Sequence, residues 1–114
     1  MSDCVFCRIV RREANATIVF EDDDVLAFRD LHPQAPVHLL VIPKKHVASL
    51  AEATEGDGAL LGKLLLATRD LAVREGIDAT GYRVVANRGR GAGQTVFHLH
   101  FHVLGGRGMS WPPG

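Results

Sequence analysis

Charge of one sign is what this sequence lacks most: 13 lysines and arginines balance 13 aspartates and glutamates, for a formal net charge of zero. A nucleic-acid groove ordinarily draws on a basic excess, so nucleic acid is not an expected partner. The basic clusters Arg11–Arg12, Lys44–Lys45 and Arg88–Arg90 read first as solvated surface. Long apolar runs are also missing, which excludes a membrane-spanning helix and a secretory leader and makes the cytoplasm the expected location. Cysteine is scarce. The two present, Cys4 and Cys7, are spaced for metal binding or redox chemistry rather than for a structural disulfide in a reducing compartment. There is no repeat, low-complexity tract or linker, so residues 1–114 are expected to form one domain with a C-terminal arm over 105–114. A domain this small has a large surface share, and a metal or a second subunit would help it.

What is there is 46% apolar and patterned. Residues 4–12 suit a short helix or turn. Residues 17–20 and 25–29 are β-branched or aromatic and read as strands, with the acidic run 21–24 as the hairpin between them. Two prolines make 32–36 a loop, with His32 on its surface. Residues 37–42 are almost wholly apolar, as in a strand buried on both faces. One long helix is expected over 55–75: Leu60, Leu64, Ala67 and Leu71 keep helical spacing, Leu61, Leu65 and Ala72 widen the stripe, and Gly76 stops it. Strands are expected again at 82–87 and 96–104. About five strands around one long and one short helix make an α+β fold with a mostly antiparallel sheet.

The strongest local signal is the run Val96-Phe97-His98-Leu99-His100-Phe101-His102-Val103-Leu104. Alternation along a strand places Phe97, Leu99, Phe101 and Val103 on a core face and the three imidazoles on the other. One histidine there reads as a structural hydrogen-bonded residue; three aligned imidazoles read as chemistry. Imidazole can act as nucleophile, acid, base or metal ligand near neutral pH. Ahead of the run lies the glycine-rich stretch Asn87-Arg88-Gly89-Arg90-Gly91-Ala92-Gly93-Gln94-Thr95. Its amides are expected to turn toward an anion, with Gln94 and Thr95 adding side-chain donors. It lacks the lysine of a P-loop.

The segments Phe28-Arg29-Asp30-Leu31-His32-Pro33-Gln34-Ala35-Pro36, His38 through His46, Gly93 through Arg107 and the terminal Trp111-Pro112-Pro113-Gly114 together resemble the histidine triad family, in its HINT branch of nucleotide-binding, phosphoramidase-like proteins. The resemblance spans nearly the whole chain. It implies a HIT-like fold that dimerises into a continuous sheet. It implies attack by His100 on the α-phosphorus of a purine nucleoside 5′-phosphoramidate and release of the monophosphate by water. In the same likeness His102 contacts the phosphate and His38 supports proton transfer. Asp30 holds the ribose, and Phe28, Leu31 and Leu40 line the base pocket. Asn87, Gly93, Gln94 and Thr95 hold phosphate or leaving-group atoms, and Trp111 approaches the partner's site. The chemistry calls for a neighbouring imidazolium to protonate the leaving amine and for a carbonyl to hold the other ring nitrogen of His100. No metal is needed for that step. Thr95 stands where many members have serine, keeping the hydroxyl on a stiffer side chain.

Zinc-bearing members of the family complete the Cys4–Cys7 pair with histidines that correspond to His46 and His98. The likeness therefore implies a structural zinc held by Cys4, Cys7, His46 and His98. Two other functions stay open at this point: a catalytic zinc hydrolase built on His98, His100 and His102, and a purine nucleotide-binding regulator with little turnover.

Overall fold

The computed structural model describes residues 4–114. Its elements run α1 (Val5–Val10), β1 (Ile18–Glu21), β2 (Val25–Arg29), β3 (Val37–Pro43), α2 (Gly58–Arg74), β4 (Tyr82–Ala86) and β5 (Phe101–Gly105), with short 3-10 turns at Leu50–Glu52, Glu55–Asp57 and Arg90–Ala92. The five strands form one sheet in the order β1-β2-β3-β5-β4, and every neighbouring pair is antiparallel. This is the expected α+β architecture, with one long helix.

The period-2 alternation of the central strands builds two cores, one on each sheet face. Val25, Ala27, Leu39, Val41, Phe101 and Val103 pack under α2 with Leu64 and Leu71. Leu26, Phe28, Leu40 and Ile42 pack on the other face with Phe6 and Ile9 of α1. Residues 38–42 are thus buried on both faces as their composition requires, with Val37 half-buried at the strand's start, and each large buried aliphatic side chain contributes about 1.5–3 kcal/mol. His38 and His102 point to the α1 face, because their neighbours in sequence, Leu39, Phe101 and Val103, belong to the other core.

Three expectations are corrected here. The final strand does not begin at residue 96 but at Phe101. Pairing to both flanking strands ends at its first residue: β4 stops at Ala86, opposite Phe101, and β3 pairs with it as far as Val41, its last residues Ile42 and Pro43 pairing only with β2. Upstream the chain leaves the ladder: residues 96–98 bend, the Leu99 amide donates to Val47 O, and Phe97 turns outward at 42% exposure with the Arg90 guanidinium over its ring. The strand also runs on through Gly105, which lies in the expected C-terminal arm. Gly105 is required there: a Cβ would come within 2.7 Å of Ile77 Cδ1.

The helix expected over 55–75 opens as a 3-10 turn capped by Thr54 and Asp57, and becomes α-helical at Gly58. Gly76 does stop it, at φ +75, with its amide on Val73 O and that of Ile77 on Ala72 O. Leu65, which widens the apolar stripe, lies on its exposed side beside Leu66. Among the described residues no helix is long and apolar enough to cross a membrane.

Candidate active site

A cleft of about 310 Å³ opens between α1 and the sheet, lined by Phe28, Asp30, Leu31, Leu40, Thr95, His100 and His102 among others. These seven are residues picked out from the sequence. The sequence reading missed Val5, Phe6, Ile9, Asn15, Ala16 and Val96, which also line it, and left His32 as a plain surface residue although it stands at the cleft's edge. The signal for the α1 residues was available: Val5, Phe6 and Ile9 form an apolar face at helical spacing.

His100 lies at the inner wall, 8% exposed. Its Nδ1–H donates to the carbonyl of His98 over 2.7 Å. That bond places the ring proton on Nδ1 and leaves Nε2 as the lone-pair nitrogen. The His102 ring stands 5.0 Å away, and Phe6 meets the imidazole edge-on at 5.2 Å and 85°.

His102 belongs to a chain of hydrogen bonds. The Gln34 amide donates to His38 Nδ1 at 3.0 Å, so the His38 proton sits on Nε2. That Nε2–H donates to His102 Nδ1 at 2.8 Å, which leaves His102 with its own proton on Nε2. Burial, with the neighbouring His100 and His38, pushes the His102 pKa down to about 4. Burial also lowers that of His38, partly offset by the Asp30 carboxylate 3.4 Å away. In the open cleft both rings are therefore neutral near pH 7. The imidazolium expected from the sequence does not stand ready at His102 or His38. Asp30 Oδ1 accepts from the His32 amide at 2.8 Å, which fixes the carboxylate at the cleft's floor.

The glycine-rich loop is not the open amide cradle expected of it. Ala92 and Gln94 donate to Gly89 O, and Gly93 donates to Arg90 O, so these amides are spent within the loop. Gly89 and Gly93 take φ +86 and +92, which the tight turn requires. Gln94 is 3% exposed, and its amide group is fully engaged: Oε1 accepts from Gly89 N, and Nε2 donates to Ala48 O and Val96 O. Gln94 thus ties the loop to the body of the fold. Neither it nor Gly93 lines the cleft, and Asn87 and Trp111 do not either. Trp111 is 80% exposed on the arm. Thr95 keeps a place at the cleft beside Val96.

His98 leaves the row of imidazoles. It is fully buried, its Nε2–H donates to Pro43 O at 2.8 Å, and its Nδ1 faces Cys4 Sγ at 3.4 Å, Cys7 Sγ at 3.6 Å and His46 Nδ1 at 3.1 Å. Cys7 Sγ stands 3.3 Å from His46 Nδ1, and all four ligand atoms lie within 4.8 Å of one another. A tetrahedral zinc with bonds of about 2.0–2.3 Å spaces its ligand atoms about 3.3–3.8 Å apart, and the donor set of two thiols and two imidazoles fits it. The alternative metal site on His98, His100 and His102 is not assembled. Among the described residues the second grouping of metal-binding types is Asp30, His38 and His102, whose two imidazoles already share a hydrogen bond.

Comparison with known proteins agrees with this geometry. The family model described as HIT domain matches residues 11–109. An uncharacterised HIT-like protein of Synechococcus elongatus is 58% identical over 112 residues, covering 98% of this chain and 97% of its own. The crystal structure of a HIT family hydrolase from Legionella pneumophila superposes with a TM-score of 0.97 at 52% identity, covering 98% of this chain and all of that one (100%). A histidine triad nucleotide-binding protein from Candida albicans gives a TM-score of 0.83 at 32% identity, covering 96% of this chain and 83% of its own.

Proposed function

From a chain that belongs to the HIT domain family, we propose a hydrolase of purine nucleoside 5′-phosphoramidates that works through a nucleotidyl group carried on His100. The observation that carries this reading is the 2.7 Å bond from His100 Nδ1–H to the His98 carbonyl, which leaves the lone pair of Nε2 for attack. The names of the Legionella hydrolase and the Candida nucleotide-binding protein support the two halves of it.

In this reading the base lies against Phe28, Leu31 and Leu40 and the apolar face of α1, and Asp30 accepts from the ribose hydroxyls. His102 offers its Nε2–H to a phosphoryl oxygen, and Thr95 adds its hydroxyl. An anionic phosphoryl group beside His102 raises the pKa of that ring, because a nearby negative charge favours the protonated form. Substrate binding therefore creates the acid that the open cleft lacks: the added proton sits on His102 Nδ1, the His38–His102 bond reverses, and His38 carries its proton on Nδ1, giving up the bond from the Gln34 amide. His100 Nε2 then forms a bond to phosphorus as the P–N bond breaks, and the departing nitrogen takes the proton of His102. Water attacks the phosphorus next, giving its proton to His102. The P–Nε2 bond breaks, and the monophosphate and a neutral His100 remain.

The reading includes a structural zinc on Cys4, Cys7, His46 and His98. There it would pin the N-terminus of α1 to the loop before β5, a useful tie in a small domain. It also includes a homodimer. All five residues of the edge strand β4 are only half-buried, and α2 exposes Leu65, Leu66 and Val73. A second copy would cover both and extend the sheet, and would bring its own Trp111 arm.

The test is steady-state cleavage of adenosine 5′-phosphoramidate by the wild type and by His100→Ala. The wild type is expected to release AMP and the variant to lose at least about a thousandfold in kcat. Unimpaired turnover by His100→Ala refutes the assignment. Tight AMP binding with no turnover by the wild type favours the nucleotide-binding regulator.

A further inference from the structure

We propose that Phe6 is a positioning residue for the reaction at His100, and that the cysteine–histidine cluster acts on the reacting geometry through it. The proposal rests on His100 being the nucleophile.

Two restraints hold the His100 ring. The bond from Nδ1 to the His98 carbonyl fixes one nitrogen. It does not by itself stop the ring from tilting about that direction. Phe6, 6% exposed, supplies the second restraint, standing edge-on to the imidazole with ring centroids 5.2 Å apart at 85°. The same phenyl ring meets His98 at 5.9 Å and Phe28, on the base side of the cleft, at 5.3 Å. One side chain therefore touches the nucleophile, the residue that fixes its tautomer, and a wall of the base pocket.

Both restraints trace back to the cluster. Phe6 lies between Cys4 and Cys7 on a helix of only six residues, Val5–Val10. So short a helix has little stability of its own. Cys4 caps it, its Sγ accepting from the Cys7 amide at 3.4 Å, and both thiols reach across to His46 and His98. His98 in turn supplies the carbonyl that His100 uses. Loosening the cluster releases the phenyl ring and the carbonyl together, and α1 takes Val5 and Ile9 of the cleft with it.

An edge-to-face aromatic contact of this kind corresponds to about a two- to tenfold effect. The test uses the zinc-loaded full chain with 15N-labelled histidine, and reads the His100 tautomer by long-range proton–nitrogen correlation beside kcat, KM and bound zinc. Wild-type His100 is expected in a single Nδ1–H form. In Phe6→Leu, with zinc content and cooperative unfolding retained, the His100 signals should shift or broaden as the ring tilts, the Nδ1–H form being kept by the His98 carbonyl. Its kcat should fall about three- to tenfold while KM moves less. Phe6→Tyr keeps the ring and should restore the wild-type spectrum. Phe28→Leu should raise KM and leave the His100 spectrum alone. Removing the metal from folded wild type should disturb the His100 signals at least as much as Phe6→Leu, because the carbonyl is released together with the phenyl ring. An unchanged His100 spectrum in Phe6→Leu, or in the metal-free protein, overturns the proposal. Should Phe6→Leu not fold, the Phe6→Tyr and metal-free spectra decide it. Absence of phosphoramidate turnover in the wild type would instead defeat the substrate reading, and the spectral comparison would still decide the role of Phe6.

Discussion

His38 Nε2 and His102 Nδ1 lie 2.8 Å apart, and the direction of that bond is set from outside the pair, by the Gln34 amide on the far nitrogen of His38. The loop over 32–36 thereby determines which nitrogen of His102 carries a proton. His102 meets the cleft as a neutral donor with a pKa near about 4.

This has a consequence for stability. An unfolded histidine takes up its proton near about pH 6.5, whereas folded His102 does so only near about 4. The unfolded chain binds more protons between those values, so this contribution to stability is present above about pH 6.5 and is lost as pH falls toward 4. His38, lowered in the same direction by burial, adds to it. Thermal unfolding followed from pH 7.5 to 4.5 should show a falling Tm, and His102→Asn should flatten the slope.

Nucleotide binding should act in the opposite sense on the same group. A phosphate beside His102 raises its pKa, so AMP binding at pH 5.5–6 is expected to take up a proton. Calorimetry in two buffers of different ionisation enthalpy measures that uptake directly. Binding without proton uptake in the wild type would remove His102 from the acid role.

Interrupting the relay should cost turnover more than binding. His38→Gln removes the Nε2–H that orients His102, and general acid–base catalysis contributes about 10²–10⁴-fold. A fall of about a hundredfold in kcat with less than a tenfold change in AMP affinity is the expected split.

Gln94 should behave as a structural residue. Three hydrogen bonds from its side chain close the loop ahead of Thr95. Gln94→Ala removes three hydrogen bonds from half-buried partners, at a cost of about 1–3 kcal/mol. Denaturant unfolding should show that loss, with a smaller effect on AMP affinity.

Gly105 tests the packing of α2's C-terminal turn on the sheet. An added methyl would press on Ile77, whose Cδ1, Cβ and Cγ2 lie at 2.7, 2.9 and 3.0 Å from the built position. Gly105→Ala is expected to cost about 1–3 kcal/mol. Combination with Ile77→Ala should recover part of that cost, which a double-mutant cycle would read as coupling.

Much of this was legible in the chain itself. The β-branched and aromatic content of 25–29 and the apolar run at 37–42 placed the central strands. Gly76 marked the helix end, and the spaced histidines marked the chemistry. The family likeness added Asp30, His38 and the cysteine partners. What local pattern could not supply was long-range. The histidine run looks like a continuous strand, but a strand needs partners, and its pairing with both β3 and β4 ends at Phe101. His98 is drawn out of the row by Cys4 and Cys7, more than 90 residues away in sequence. The glycine loop resembles an anion cradle, yet its amides close on their own carbonyls. The apolar face of Val5, Phe6 and Ile9 is readable at helical spacing, but what it packs against is a long-range fact, and only the fold makes it a wall of the cleft.

The most direct measurement is to quench the wild-type enzyme under non-acidic conditions during turnover of adenosine 5′-phosphoramidate and to map the modified peptide by mass spectrometry. The account predicts one adenylyl group per modified chain, on His100, formed and lost at rates consistent with turnover and absent from His100→Ala. Turnover with an adduct at another residue, or with no adduct while water oxygen enters in a single displacement, would contradict it.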